Sequence, residues 1–261
     1  MWTRRRCDVN DVSVAYLRSG GDKPPLVMLH GLMGSGACWT PIARMLEAEF
    51  DVILPDARGH GGSSAPESGY LYPHLASDVL ALMQTLELTR PVLLGHSMGG
   101  MTAALVASLA PGLLSKLVLV DPTFLSPAYQ QEVFESGVAE QHREALKCTK
   151  DELVAKALAR SGGRSRELIE IQAEARLNTS LAACEVLSPP NPDYRQLVRA
   201  IDVPTLLVIG DKPVVTLEMA HELQSINPLV RVEQIADAGH GLPFDQPERL
   251  AKVVRGFLVG G

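Results

Sequence analysis

The strongest constraint on the fold is an alternation. Short, nearly pure apolar runs recur along the chain, and helical patterns separate them. The runs are "PLVMLH" (25–30), "DVILPD" (51–56), "PVLLG" (91–95), "KLVLVD" (116–121) and "PTLLVIGD" (204–211). Strands that show no polar alternation are buried on both faces, which is the condition of a parallel sheet covered by helices. "VSVAYLR" (12–18) does alternate, as an early, half-exposed strand would, and "VRVEQI" (230–235) reads as a late strand. Between the runs, "HLASDVLALMQTLEL" and "MGGMTAALVASLA" carry apolar residues at helical spacing, and a last helix is expected from Pro247 to about Leu258. The expected class is α/β, with a mostly parallel sheet flanked by helices.

The alternation lapses once. From 122 to 197 only helical patterns occur, such as "DELVAKALAR" and "RELIEIQAEARL", with turn signals "SGGRS" and "SPPNP". The expected organisation is therefore a core of 1–121 and 198–261 with a helical lid of 122–197. The insertion leaves from the carboxyl end of a strand, where sites in such sheets form.

Composition narrows the partners. The 261 residues carry a net charge of −6, against a nucleic-acid ligand, and 46% hydrophobic residues suffice for a large core. The basic "TRRR" at 3–6 reads as a solvated terminus. No apolar run approaches membrane-spanning length and no export signal is read, so a cytoplasmic protein that binds no membrane is expected. The four cysteines are scattered and nothing has metal-ligand spacing. Reduced thiols, no metal and no organic cofactor are the expectation. A monomer or homodimer acting on a small molecule fits these numbers.

"VLLGHSMGG" (92–100) brings the chemistry. Gly95-x-Ser97-x-Gly99 after a strand and before a helix has the form of a nucleophile elbow, a turn too sharp for side chains at the glycine positions. It lifts the Ser97 hydroxyl above the sheet at a helix N-terminus, where developing negative charge is favoured. Serine needs a base. Of seven histidines, His240 in "DAGHGLPFDQPE" stands in a loop between the last strand and the last helix, the right place for one. His60, in "DARGHGG", reads as a structural residue tying down a glycine-rich loop. "HGLMGS" (30–35) offers a backbone N–H, expected from Leu32, which with that of Met98 would form an oxyanion hole.

Together "HGLMGS", "DARGHGGS", "GHSMGG", "GDKPVVT" and "AGHGLPFDQPE" resemble the α/β-hydrolase fold family, in the family's order and over nearly the whole chain outside the insertion. The resemblance implies an eight-stranded sheet with a helical cap after strand six, Ser97 as nucleophile, His240 as base, and Leu32 and Met98 as oxyanion donors. One motif departs from the pattern. Many relatives end strand seven with G-D-x-D-P-V-V-P, whose second Asp is the triad acid, whereas this chain has Gly210-Asp211-Lys212-Pro213-Val214-Val215-Thr216, one residue shorter. Asp211 is the expected acid, and Asp121, after strand six, is its rival.

Serine at the elbow points away from dehalogenase and epoxide-hydrolase relatives, which carry Asp there. The expected activity is that of a carboxylesterase acting on small to medium apolar esters, with Met33, Leu242 and Phe244 in the substrate pocket. A lactonase, a carbon–carbon bond hydrolase, and a ligand receptor with a vestigial triad are the alternatives.

Overall fold

The computed structural model describes residues 2–160 and 163–260, so Ser161 and Gly162 of the "SGGRS" turn lie outside the described residues. Eight strands form one sheet: β1 (Thr3–Val9), β2 (Val12–Arg18), β3 (Pro25–Leu29), β4 (Asp51–Pro55), β5 (Val92–His96), β6 (Lys116–Val120), β7 (Thr205–Ile209) and β8 (Val230–Gln234). Their spatial order is β1-β2-β4-β3-β5-β6-β7-β8. β2 pairs antiparallel with β1 and β4, and every pairing from β4 to β8 is parallel.

The apolar runs lack a polar face because both faces are covered. Register sets Val27, Leu93 and Leu117 side by side on one face, with Leu119 beside Leu207 on the same face, packed with helices Tyr72–Thr85 and Met98–Leu109. Met28, Leu94, Val118 and Val208 line the other face, against helices Thr40–Leu46 and Pro247–Val259. Each such side chain taken from water is worth ~1.5–3 kcal/mol, so a one-residue slip of any central strand would exchange the two cores.

The basic "TRRR" is not a loose end. It forms the edge strand β1, with Thr3 through Arg6 exposed and Cys7 and Val9 turned into the core. Charged residues on an exposed edge disfavour pairing with another chain. Four consecutive polar residues hide the period of two, and the pairing with β2 decides the conformation.

Among the described residues, the chain between β6 and β7 contains helices and no strand: Pro127–Glu135, Val138–Ala145, Lys150–Leu158, Arg166–Leu177, a 3₁₀ stretch Leu181–Leu187, and Tyr194–Ala200. The caps are legible: Ser126, Thr149, Ser165 and Asp193 each accept a backbone N–H of the turn they open. Helix Tyr194–Ala200 packs on Met98–Leu109, and the Tyr194 ring stacks on Phe124 at 5.1 Å. The segment is thereby pinned to the core at its return. No helix of the described residues is long and apolar enough to cross a membrane.

Candidate active site

Three parallel strands deliver the site. β5 ends in His96, followed at once by Ser97, β6 is followed by Asp121, and the chain after β8 returns His240 to the same carboxyl edge. Ser97 has φ +55° and ψ −121°, outside the ordinary regions for a residue with a side chain. Its neighbours permit this only because they are glycine. A Cβ on Gly95 would collide with the Gly99 carbonyl, and one on Gly99 would meet the Leu29 and His30 carbonyls. The strain is held by packing on every side, as at other functional turns.

His240 accepts from or donates to two partners at once. Its Nε2 lies 2.9 Å from Ser97 Oγ, and its Nδ1 lies 2.6 Å from Asp121 Oδ2. With the carboxylate accepting from Nδ1–H, Nε2 is left free to accept the serine proton. Asp121 is fully buried, and its φ of +38° turns the carboxylate across the end of β6. Two backbone N–H groups hold it there: Val214 at 3.0 Å from each oxygen and Val215 at 2.9 Å from Oδ1. A carboxylate buried without such donors would be costly.

This overturns the expectation for Asp211. Its side chain is exposed and accepts the backbone N–H of Asp237 at 2.6 Å, away from the imidazole. The loop shortened by one residue no longer carries an acid toward His240. Its Val214 and Val215 amides instead cradle the acid supplied by the neighbouring strand. Asp211 still ties down the approach to His240, because its own N–H donates to the Ala238 carbonyl at 2.7 Å.

The "HGLMGS" turn closes through Gly34 N–H to the Gly31 carbonyl at 3.0 Å, with Met33 at φ +63°. Met33 N–H is taken by His60 Nε2 at 3.3 Å. Among the described residues, neither Leu32 N–H nor Met98 N–H makes a hydrogen bond. The turn lies directly on Ser97, since a Cβ on Gly31 would stand 3.1 Å from Ser97 Cβ.

The remaining histidines of the edge are structural pins. His96 Nε2–H donates to the His240 carbonyl at 2.7 Å, fixing the His240 backbone. Burial, helped by the neighbouring His240, brings the His96 pKa down to about 4. His60 is buried, with Nδ1–H donating to the Arg58 carbonyl at 2.9 Å, and burial beside His30 lowers its pKa to about 3. His30 Nδ1–H donates to the Gly31 carbonyl at 2.8 Å while its Nε2 accepts Ala57 N–H at 3.0 Å, and burial lowers its pKa too. All three are neutral pegs between loops.

A cavity of about 320 Å³ opens above Ser97. Met33 and Phe244 line it, with Trp39 and Pro243. Leu242 does not. It is fully buried in the core with Leu250 and Val254, because the short helix Leu242–Asp245 turns that side chain inward and Phe244 outward. The rest of the lining is not apolar: it includes Arg164, Gln172 and Arg176 of the helical segment, where the sequence suggests apolar surroundings for an uncharged substrate. Nothing in the pattern of a solvated helix distinguishes those polar residues from their neighbours.

The comparisons agree with this architecture. The family model described as alpha/beta hydrolase fold matches residues 24–247. The sn-1-specific diacylglycerol lipase ABHD11 of Xenopus laevis is 30% identical over 250 residues, covering 90% of this chain and 80% of that protein. The N-formylmaleamate deformylase of Pseudomonas putida is 28% identical over 262 residues, covering 95% and 94%. The crystal structure of E-2-(acetamidomethylene)succinate hydrolase superposes with a TM-score of 0.85 at 23% identity, covering 99% of this chain and 100% of that one. The chain belongs to the α/β-hydrolase fold family. Its class is that of a hydrolase.

Proposed function

We propose that the chain is a carboxylesterase-type serine hydrolase working through an acyl-enzyme. The observation that carries this reading is the continuous relay from Ser97 Oγ to His240 Nε2 at 2.9 Å and from His240 Nδ1 to Asp121 at 2.6 Å. In the proposed cycle Ser97 Oγ attacks the ester carbonyl while its proton passes to His240 Nε2. Asp121 stabilises the imidazolium and holds the tautomer. The carbonyl oxygen, now negative, is received by the N–H groups of Leu32 and Met98, each worth ~3–4 kcal/mol to the transition state. The C–O bond breaks as His240 returns the proton to the leaving alcohol. Water then repeats the sequence on the acyl-enzyme and releases the acid and free Ser97.

The free state of the two N–H groups supports their role, as does the occupation of Met33 N–H by His60. We take residues 122–197 as a cap that supplies one wall of the cavity. A lipase and a deformylase among the relatives support an acyl bond as the target.

The test is a fluorophosphonate followed by intact-protein mass spectrometry, with turnover of aryl esters, alkyl esters and lactones measured alongside. One adduct is expected, absent in Ser97→Ala, whose kcat should fall by at least ~10⁵. Labelling of Ser97→Ala, or labelling of the native protein without turnover of any ester or lactone, would exclude this function and leave a binding protein on the same fold.

A further inference from the structure

We infer that the cavity above Ser97 accepts an ester bearing a free carboxylate, and that Arg176 is the residue that recognises it. This deepens the hydrolase reading and rests on it. Helix Arg166–Leu177 crosses the cavity with Gln172 and Arg176 four residues apart, on one face, and both line the space that holds Ser97 and His240. The Arg176 guanidinium is poorly provided for. Its Nε is buried with no hydrogen-bond partner, and one terminal nitrogen donates to the Gln141 carbonyl at 3.1 Å.

Carboxylates are near, but each is engaged elsewhere. Glu140 pairs with Arg143, Glu144 with Lys147 at 2.5 Å, and Asp245 with Arg164 at 2.7 Å. Among the described residues no acid pairs with Arg176, and no Asp or Glu lines the cavity. In a protein of net charge −6, an unpaired, half-buried guanidinium beside the nucleophile is an exception. Guanidinium is planar and offers two parallel donors to a carboxylate. The Gln172 amide stands beside it to supply a further donor. Met33, Trp39 and Phe244, which line the same cavity, suit the short carbon chain between that carboxylate and the ester.

The substrate class that fits is therefore the monoester of a short dicarboxylic acid, or a lactone that bears a carboxylate. Hydrolysis leaves a second carboxylate at Ser97, so the dicarboxylate product should itself occupy the site.

That product provides the experiment. The rate of fluorophosphonate labelling of Ser97 is measured with glutarate and with its neutral isostere glutaramide. In parallel, kcat and KM are measured for monoethyl glutarate and ethyl pentanoate. Glutarate should slow labelling and glutaramide should not. Arg176→Ala should abolish that protection and raise KM for the monoester about 10- to 100-fold, with ethyl pentanoate changed less than twofold. Arg176→Lys should restore part of the effect through charge alone. Equal protection by the two compounds in the native protein would overturn the inference, whether or not a variant folds, and so would parallel losses on both esters in Arg176→Ala. Absence of labelling altogether would instead defeat the serine-hydrolase reading, which keeps the two failures apart.

Discussion

Asp121 and Arg176 are a carboxylate and a guanidinium that border the same site around Ser97, and the protein treats them in opposite ways. Asp121 is fully buried at a strand end, bonded to two backbone N–H groups and to His240. Arg176 lies on a helix of the inserted segment, with one carbonyl partner and an unpartnered Nε. At the carboxyl edge of the sheet, backbone groups hold the Asp121 carboxylate and the rings of His30, His60 and His96. The wall opposite is built from side chains on helices whose own core is small, chiefly Val154, Ile169 and Ala173. A preorganised donor set is what catalysis needs where charge develops, whereas an incomplete one is what a binding wall offers to a ligand.

The largest expected effect lies at the edge. In Asp121→Asn the side-chain oxygen would keep the Val214 and Val215 bonds and present an NH₂ to His240. The ring would then have to accept at Nδ1 and carry its proton on Nε2, the wrong tautomer for taking a proton from Ser97. The loss in kcat should be ~10⁴, by analogy with the serine-protease template, with the fold intact by circular dichroism. A loss under tenfold would mean that the edge is not the rigid device described.

The inserted segment should respond in stability rather than in chemistry. Ile169 is buried between helices Lys150–Leu158 and Arg166–Leu177, and Ile169→Ala should cost ~2–4 kcal/mol. Hydrogen exchange should show the loss confined to those two helices, with β3, β5 and β6 unchanged. Equal loss of protection in the sheet would show that the two regions unfold as one and would weaken the contrast.

How far each region can be read from the sequence follows the same division. Ser97 and the turns of Leu32 and Met98 were legible because their backbone geometry demands glycine beside them, and glycine spacing is visible in a string, whereas His240 was legible from its place between the last strand and the last helix. Asp121 against Asp211 was decided by hydrogen-bond geometry. The missing residue in "GDKPVVT" announced a change in the acid, but only the placement of the Val214 and Val215 amides says which strand supplies it. Arg164, Gln172 and Arg176 gave no signal, since polar residues in a turn or on a surface helix are the rule. Leu242 was misplaced because a four-residue helix sets which side chain faces inward, and periodicity cannot be read over one turn.

The edge also predicts a pH dependence. His60 and His96 have folded pKa values of about 3 and about 4, below the ordinary 6.5, because burial disfavours their charged form. The unfolded chain therefore binds more protons than the fold below pH 6.5. Their neutral pegs stabilise the protein fully above that pH, and the stability is lost as pH falls from 6.5 toward 4. The slope should be up to about 1.4 kcal/mol per pH unit for each histidine. Urea midpoints between pH 7 and pH 4.5 measure it, and His60→Asn should flatten the curve. A flat native curve would mean that these rings are accessible to protons and the edge is looser than its bonds imply.

The smallest effect is expected at Asp211, and it separates positioning from chemistry at the edge itself. Its carboxylate holds Asp237 N–H at 2.6 Å, and Gly210 packs so closely on the Ala238 carbonyl that no Cβ would fit there. Together with the bridge between Lys212 and Gly239, these contacts fix the strand of chain that ends in His240. Asp211→Asn keeps an accepting oxygen, so kcat should stay within about threefold of the native value. Asp211→Ala removes it from an exposed site and forfeits one hydrogen bond of ~1 kcal/mol, or about fivefold. That loss should appear in kcat for every ester alike and leave the pH profile unchanged, because His240 keeps its bond to Asp121. A loss of 10³ or more in Asp211→Asn would return the acid to strand seven and reverse the assignment made from the geometry.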